Sequence, residues 1–384
     1  MRFSTVSAAS LSIAIGAGLI ASLGAQGANA TPTAFDVTNL VSDGFVPAAH
    51  IDPNLINPWG ISHSATSPFW ISDNGTGLST IYNTTGTKLG LTVTIPPAGG
   101  SAPTGQVFNS TASDFAIGGV KTNFLFDGED GRITGWAGSF GTNAQIAVDN
   151  SASGAVYKGL AIGNNGSGNV LYAANFNSGQ VEMYSGTFAS LGSFTDTTVA
   201  PGYAPFNVQA LGGNLFVTFA LQNAAKHDDV RGPGHGYVDE FSMAGVFEQR
   251  IETLGGAINS PWGLAIAPSS FGTFAGDLLV GNFGDGTISA YDISGAPAFK
   301  GVLRDRLGNA ITEGDLWALI GGNGGNGGSL DKIYFTAGVM DEAHGLFGSL
   351  SAAPEPGTWM LMILGFGAMG AALRRRSAGL ATAG

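Results

Sequence analysis

Asn259 to Asp292 reads NSPWGLAIAPSSFGTFAGDLLVGNFGDGTISAYD. An apolar run (Leu264 to Ala267) is followed by a loop and a second apolar run (Leu278 to Val280). The turn Asn282-Phe283-Gly284-Asp285-Gly286 then leads into an alternating stretch, Thr287 to Tyr291. Runs this short, punctuated by Gly, Pro, Asn and Asp, read as β-strands rather than helices. The unit returns as NPWGIS with FWISDNGTGLSTIYN near the start, and as YKGLAIG with VLYAANFNSGQVEMYS in the middle. A period of about 40–50 residues with several strands per copy marks a β-propeller blade.

Working outward, six blade openings fall at Gly60, Gly105, Gly159, Asn207, Gly263 and Ala318, spaced by 45, 54, 48, 56 and 55 residues. The expected fold is all-β, a six-bladed β-propeller over residues 31–350. A β-sandwich does not produce six similar openings, and a β-helix has a much shorter period. Blade six lacks an outer strand before the C-terminal tail begins. The isolated run Phe35 to Val41 is expected to fill that place and close the ring, which protects an edge strand. Gly321 to Gly328 (GGNGGNGG) reads as a surface loop; a phosphate cradle needs a following helix and usually a Lys-Ser/Thr pair, and neither follows.

The 384 residues include 62 Gly and 24 Phe, and only 11% are charged. Net charge is -12, and four Arg lie at the chain ends. Without residues 1–30 and 354–384, 11 basic and 26 acidic residues remain. Phosphate backbones repel such a body, so nucleic acid is not an expected partner. With no Cys in the chain, disulfides, thiolate nucleophiles and thiolate metal sites are excluded.

Both termini carry address signals. Met1-Arg2, an apolar stretch from Leu11 to Leu23 and the small residues of Ala28-Asn29-Ala30 form a secretory signal peptide over residues 1–30. At the other end, Pro354-Glu355-Pro356 precedes Trp359 to Leu373 and the cluster Arg374-Arg375-Arg376. That span is short for a bilayer helix, which needs about 20 residues, and the Arg cluster would stay cytoplasmic. In this order and place, residues 354–376 resemble the PEP-CTERM sorting signal of Gram-negative bacteria. The resemblance implies a short transmembrane sorting helix and recognition by an exosortase, with cleavage near Pro354-Glu355-Pro356. It also implies an inner-membrane intermediate, then the envelope or the extracellular matrix, and association with exopolysaccharide.

The body resembles an uncharacterised family of exported bacterial proteins. The resemblance rests on NLVSD, DPNLINPWG, FWISDNGTG, LYAANFNSG, GYAPFNVQ, SPWGLA, LLVGNFGDGTI and DEAHGLFG in this order. It implies no activity.

Blade geometry puts the connection into each innermost strand and the turn between the second and third strands on one face. Candidate ligand-binding residues there are Asn57, Asp73, Asn74, Asn175, Asn207 and Asn282. Asn and Asp also suit turns for their own backbone reasons, so turn formation alone is the competing reading. The loop Gln222 to Gly236 is far longer than a plain turn and holds His227, Asp228 and His235; His344 comes from the neighbouring blade. These four are the expected metal ligands, since imidazole with carboxylate suits zinc and carboxylate with amide oxygens suits calcium. Trp59, Trp262 and Trp317 hold equivalent places in three openings, which favours packing over sugar stacking. No G-x-S-x-G elbow is present. A binding or matrix protein is therefore the first functional reading. A metal-dependent hydrolase, lactonase or lyase is the second.

Overall fold

The computed structural model describes residues 33–354. The signal peptide, the hydrophobic stretch before the C-terminal Arg cluster, and Glu355, Pro356, Arg374, Arg375 and Arg376 lie outside the described residues; Pro354 is the last inside. No helix among the described residues is long and apolar enough to cross a membrane.

Six antiparallel sheets surround a central axis. Their inner strands are Pro58–Ser62, Pro103–Phe108, Tyr157–Asn164, Tyr203–Leu211, Pro261–Ile266 and Leu316–Gly321, each beside the next, with the last beside the first. Glycine permits that approach. A Cβ on Gly60 would land on the carbonyl oxygen of Thr104, and one on Gly105 on the amide nitrogen of Leu160. Backbone atoms of a paired strand cannot step aside, so the third opening position is Gly or Ala in five of the six blades, Asn207 being the exception.

Blade six is assembled from both ends of the described chain. Leu316–Gly321, Lys332–Ala337 and Leu346–Ala352 are its first three strands, and Phe35–Ser42 pairs antiparallel with Leu346–Ala352 as the fourth. The expected ring closure is present. His50–Ile51 adds a short parallel edge outside it. An unforeseen hairpin, Ala116–Ile117 with Val120–Lys121, is inserted between the first two strands of blade two.

Apolar side chains gather mainly between neighbouring blades. One cluster joins Phe35 to Phe271, Leu279, Leu316 and Phe335 across blades five and six. Another unites Leu125 and Ile133 with Tyr157 and Leu171 across blades two and three. The axial cluster holds Trp59, Phe206, Trp262, Phe283 and Trp317.

Candidate functional site

The second opening position of each blade points at the axis region, and there the six blades carry Trp59, Thr104, Lys158, Phe206, Trp262 and Trp317. Trp59 stacks on Trp317, and Trp262 meets both edge-on, with centroids 6.1 and 5.8 Å away. The Trp317 indole donates to Asn57 Oδ1 at 2.9 Å, and the Trp262 indole to the Lys158 carbonyl at 2.9 Å. All three indoles are buried. They plug the axis region by packing on one another, and Trp262 also borders a cavity.

The plug divides two spaces. Towards the C-terminal ends of the inner strands lies a cavity of about 310 Å³, lined by Ile61, Gln106, Leu160, Val208 and Leu319 among others. Towards the N-terminal ends, loops of several blades bring polar and charged side chains together in a cluster, termed the bowl.

Lys158 rises into the bowl from the aromatic ring. Its Nζ contacts Glu129 Oε1, lies 3.6 Å from Asp228 Oδ1, and sits 5.0 Å from the centre of the Trp59 ring. The other Glu129 oxygen accepts from Asn74 Nδ2 at 2.9 Å. Asn57 Nδ2 donates to Asn74 Oδ1 at 3.3 Å and to Glu342 Oε2 at 2.7 Å. His227 Nδ1 lies 2.8 Å from Asp228 Oδ1 and 3.9 Å from Glu129 Oε1. Across the bowl, Arg231 lies over the Phe283 ring at 4.2 Å and pairs with Asp315 at 2.6 Å.

The charges respond to these contacts. Burial alone would raise the Asp228 carboxyl; the His227 bond and the Lys158 ammonium outweigh it and hold the carboxyl below its usual range. Glu342 is pushed up to about 7, chiefly by burial, against the bond from Asn57.

The six amide and carboxylate candidates divide. Asn57 and Asn74 reach the bowl. Asp73, Asn175, Asn207 and Asn282 are buried in the frame, and Asn57 is buried too, its amide joining the bowl through its bonds to Asn74 and Glu342. Asn175 Oδ1 accepts from the Val156 amide at 3.2 Å, and Asn282 Oδ1 from the Asn259 amide at 3.1 Å, so each ties its turn to the segment entering its own blade. Asn207 Nδ2 donates to the Trp262 carbonyl at 2.7 Å, linking blades four and five. Neither Asp73 oxygen has a partner, and burial raises that carboxyl well above its ordinary value.

The four expected metal ligands divide as well. Glu129, His227 and Asp228 offer ligand atoms within 4.8 Å of one another. His235 and His344 do not join them. A tight turn from Gly232 folds His235 back, and its Nδ1 meets the Val230 carbonyl at 3.1 Å. His344 Nδ1 lies 2.6 Å from Asp43 Oδ2, and its ring stacks on Phe45. Glu129 and Lys158 were missed as site residues. Glu129 hides between the turn acids Asp127 and Asp130. Lys158 did leave a signal, since it is the one charged residue at a position otherwise held by Trp, Phe and Thr.

Residues 352–376 match the PEP-CTERM protein-sorting motif. Two uncharacterised proteins of Acanthamoeba polyphaga mimivirus are similar over most of the chain. Uncharacterized protein R648 is 30% identical, covering 83% of this chain and 80% of its own. Uncharacterized protein L690 is 30% identical, covering 82% and 85%. Among solved structures, virginiamycin B lyase from Staphylococcus aureus superposes with a TM-score of 0.50 at 13% identity, covering 83% of this chain and 100% of that one. A protein of unknown function from Bacteroides thetaiotaomicron also gives 0.50, at 11% identity, covering 84% and 76%. These two likenesses show the propeller fold alone.

Proposed function

The chain belongs to the family of the mimivirus proteins R648 and L690, and from that premise, joined to its PEP-CTERM motif, we propose that it is an exported propeller whose bowl binds carbohydrate of the producing cell's exopolysaccharide. The observation that carries this reading is the convergence of Asn57, Asn74, Glu129, Lys158, His227 and Arg231 from four blades in one polar cluster, Arg231 joining it through Glu342. Amides, carboxylates and cations set at fixed angles suit the alternating donors and acceptors of sugar hydroxyls. The exported protein should be retained on matrix polysaccharide from the producing strain. His227→Ala with Asp228→Ala should weaken retention about tenfold, the loss of one charge-assisted hydrogen bond. Absence of retention on that matrix, with the protein folded, would sink the proposal.

A metal-dependent hydrolase, lactonase or lyase is the second reading. It is favoured by one observation, the proximity of Glu129, His227 and Asp228. Elemental analysis of protein purified without chelator tests it: a stoichiometric divalent metal would support it, and a metal-free protein indifferent to added zinc or calcium would count against it.

A further inference from the structure

Three side chains in the bowl have the type and spacing of a metal site, yet a fourth already stands on them. Glu129 and Asp228 would each offer a carboxylate oxygen to a divalent ion, and the Lys158 Nζ contacts Glu129 Oε1 and lies 3.6 Å from Asp228 Oδ1. An ion bound to both oxygens would be in direct contact with an ammonium of like charge. The ammonium is not free to swing away. Lys158 belongs to the inner strand Tyr157–Asn164, its side chain is 2% exposed, and the Trp262 indole holds its carbonyl. A buried ammonium also needs these carboxylates, since burial without a counter-charge is costly.

We infer that Lys158 is the resident cation of the bowl: its ε-ammonium occupies the place of a divalent ion between Glu129 and Asp228 and makes the bowl metal-independent. The specificity resides in blade three. The equivalent positions in the other blades carry Trp59, Thr104, Phe206, Trp262 and Trp317, none of which supplies a charge. The inference goes beyond the carbohydrate reading, because it concerns the bowl's own charge and stands whichever ligand the bowl takes.

Zinc and calcium uptake by the whole exported protein, followed by titration calorimetry and elemental analysis, tests it. The parent should take up neither ion at a stoichiometric level. Lys158→Met should take up about one zinc per chain, through a carboxylate–imidazole–carboxylate set now free of the ammonium. Adding Asp228→Asn should abolish that uptake, and Lys158→Arg, which keeps the charge, should show none. One zinc per chain on the parent, lost with His227→Ala, would overturn the inference. So would a folded Lys158→Met and a folded Lys158→Ala that both stay metal-free. Should neither variant fold, the parent and its exposed-residue variant His227→Ala decide the matter, since zinc on the parent that depends on His227 is incompatible with a resident ammonium and its absence is the expected result.

Discussion

Four blades place an Asp or Asn at the end of the second strand: Asp73, Asp127, Asn175 and Asn282. Asn175 and Asn282 are hydrogen-bonded to the segment entering their blades. Asp127 accepts from Thr104 Oγ1 at 2.9 Å, but its second oxygen has no partner. Burial pushes Asp127 up to about 7 from an ordinary 3.8. The sign follows from linkage. Between these two values the unfolded chain releases its proton and the folded chain does not, so stability falls as pH rises from about 4 to about 7 and is flat above. The loss is up to about 4 kcal/mol, at about 1.4 kcal/mol per pH unit. The repeat already accepts an amide at this place, so Asp127→Asn should fold and remove that slope. Thermal melts of parent and variant should diverge between pH 4 and pH 7, with the variant the more stable at pH 8. Parallel curves would mean that Asp127 ionises in the folded protein as it does in water. The repeat was legible as a residue pattern, but its role was not, because a ligand face and a buried clamp both favour Asn and Asp. The partner of His344 left no local trace either, as Asp43 lies 301 residues away in sequence.

The ring-closing strand was legible from one gap and one spare segment. Blade six needed a fourth strand, and Phe35 to Val41 had no blade of its own. Several other fourth strands were not seen. Ser190–Phe194 and Ala298–Val302 are largely exposed along their length, so no buried face imposes the alternation by which a strand is recognised. The inner and second strands are buried on both faces and read as short apolar runs. Phe35–Ser42 differs from the other outer strands in burying Phe35, Leu40 and Val41. Each such side chain contributes about 1.5–3 kcal/mol on burial. Deleting residues 33–42 should therefore remove several kcal/mol and leave Leu346–Ala352 as an open edge. Val41→Asp should act in the same direction by burying a charge without a partner. Light scattering and melting temperature measure both effects. A deletion variant as soluble and heat-stable as the parent would show that closure depends on the blade contacts alone.

At the scale of the whole molecule, strand direction separates the two faces. Inner strands run from the bowl to the cavity, second strands return, and third strands run to the cavity again. Leu346–Ala352 is a third strand, and its Ser351 pairs with Lys332 at the level where Leu316–Gly321 ends. The Ala353 amide then donates to the Ala34 carbonyl. Thr33 Oγ1 accepts from the Thr273 amide in the first turn of blade five. Both ends of the described chain thus emerge on the cavity side, one consequence of closing the ring with strands from each end. The matched sorting motif continues from that point, beginning at residue 352. Were that tail inserted in a membrane, the propeller should stand with its cavity side towards the membrane and its bowl away from it. The absence of Cys makes the arrangement measurable, because one introduced thiol has no background. Leu330, 66% exposed in the first turn of blade six, marks the cavity side. Asp341, whose side chain is 96% exposed, marks the bowl. With the uncut chain in vesicles, a thiol-linked fluorophore on Leu330→Cys should be quenched by spin-labelled lipid, and one on Asp341→Cys should not. Equal quenching at both positions, or the reverse order, would mean that the tail does not fix which face meets the matrix, and the bowl would then lose its claim to be the outward surface.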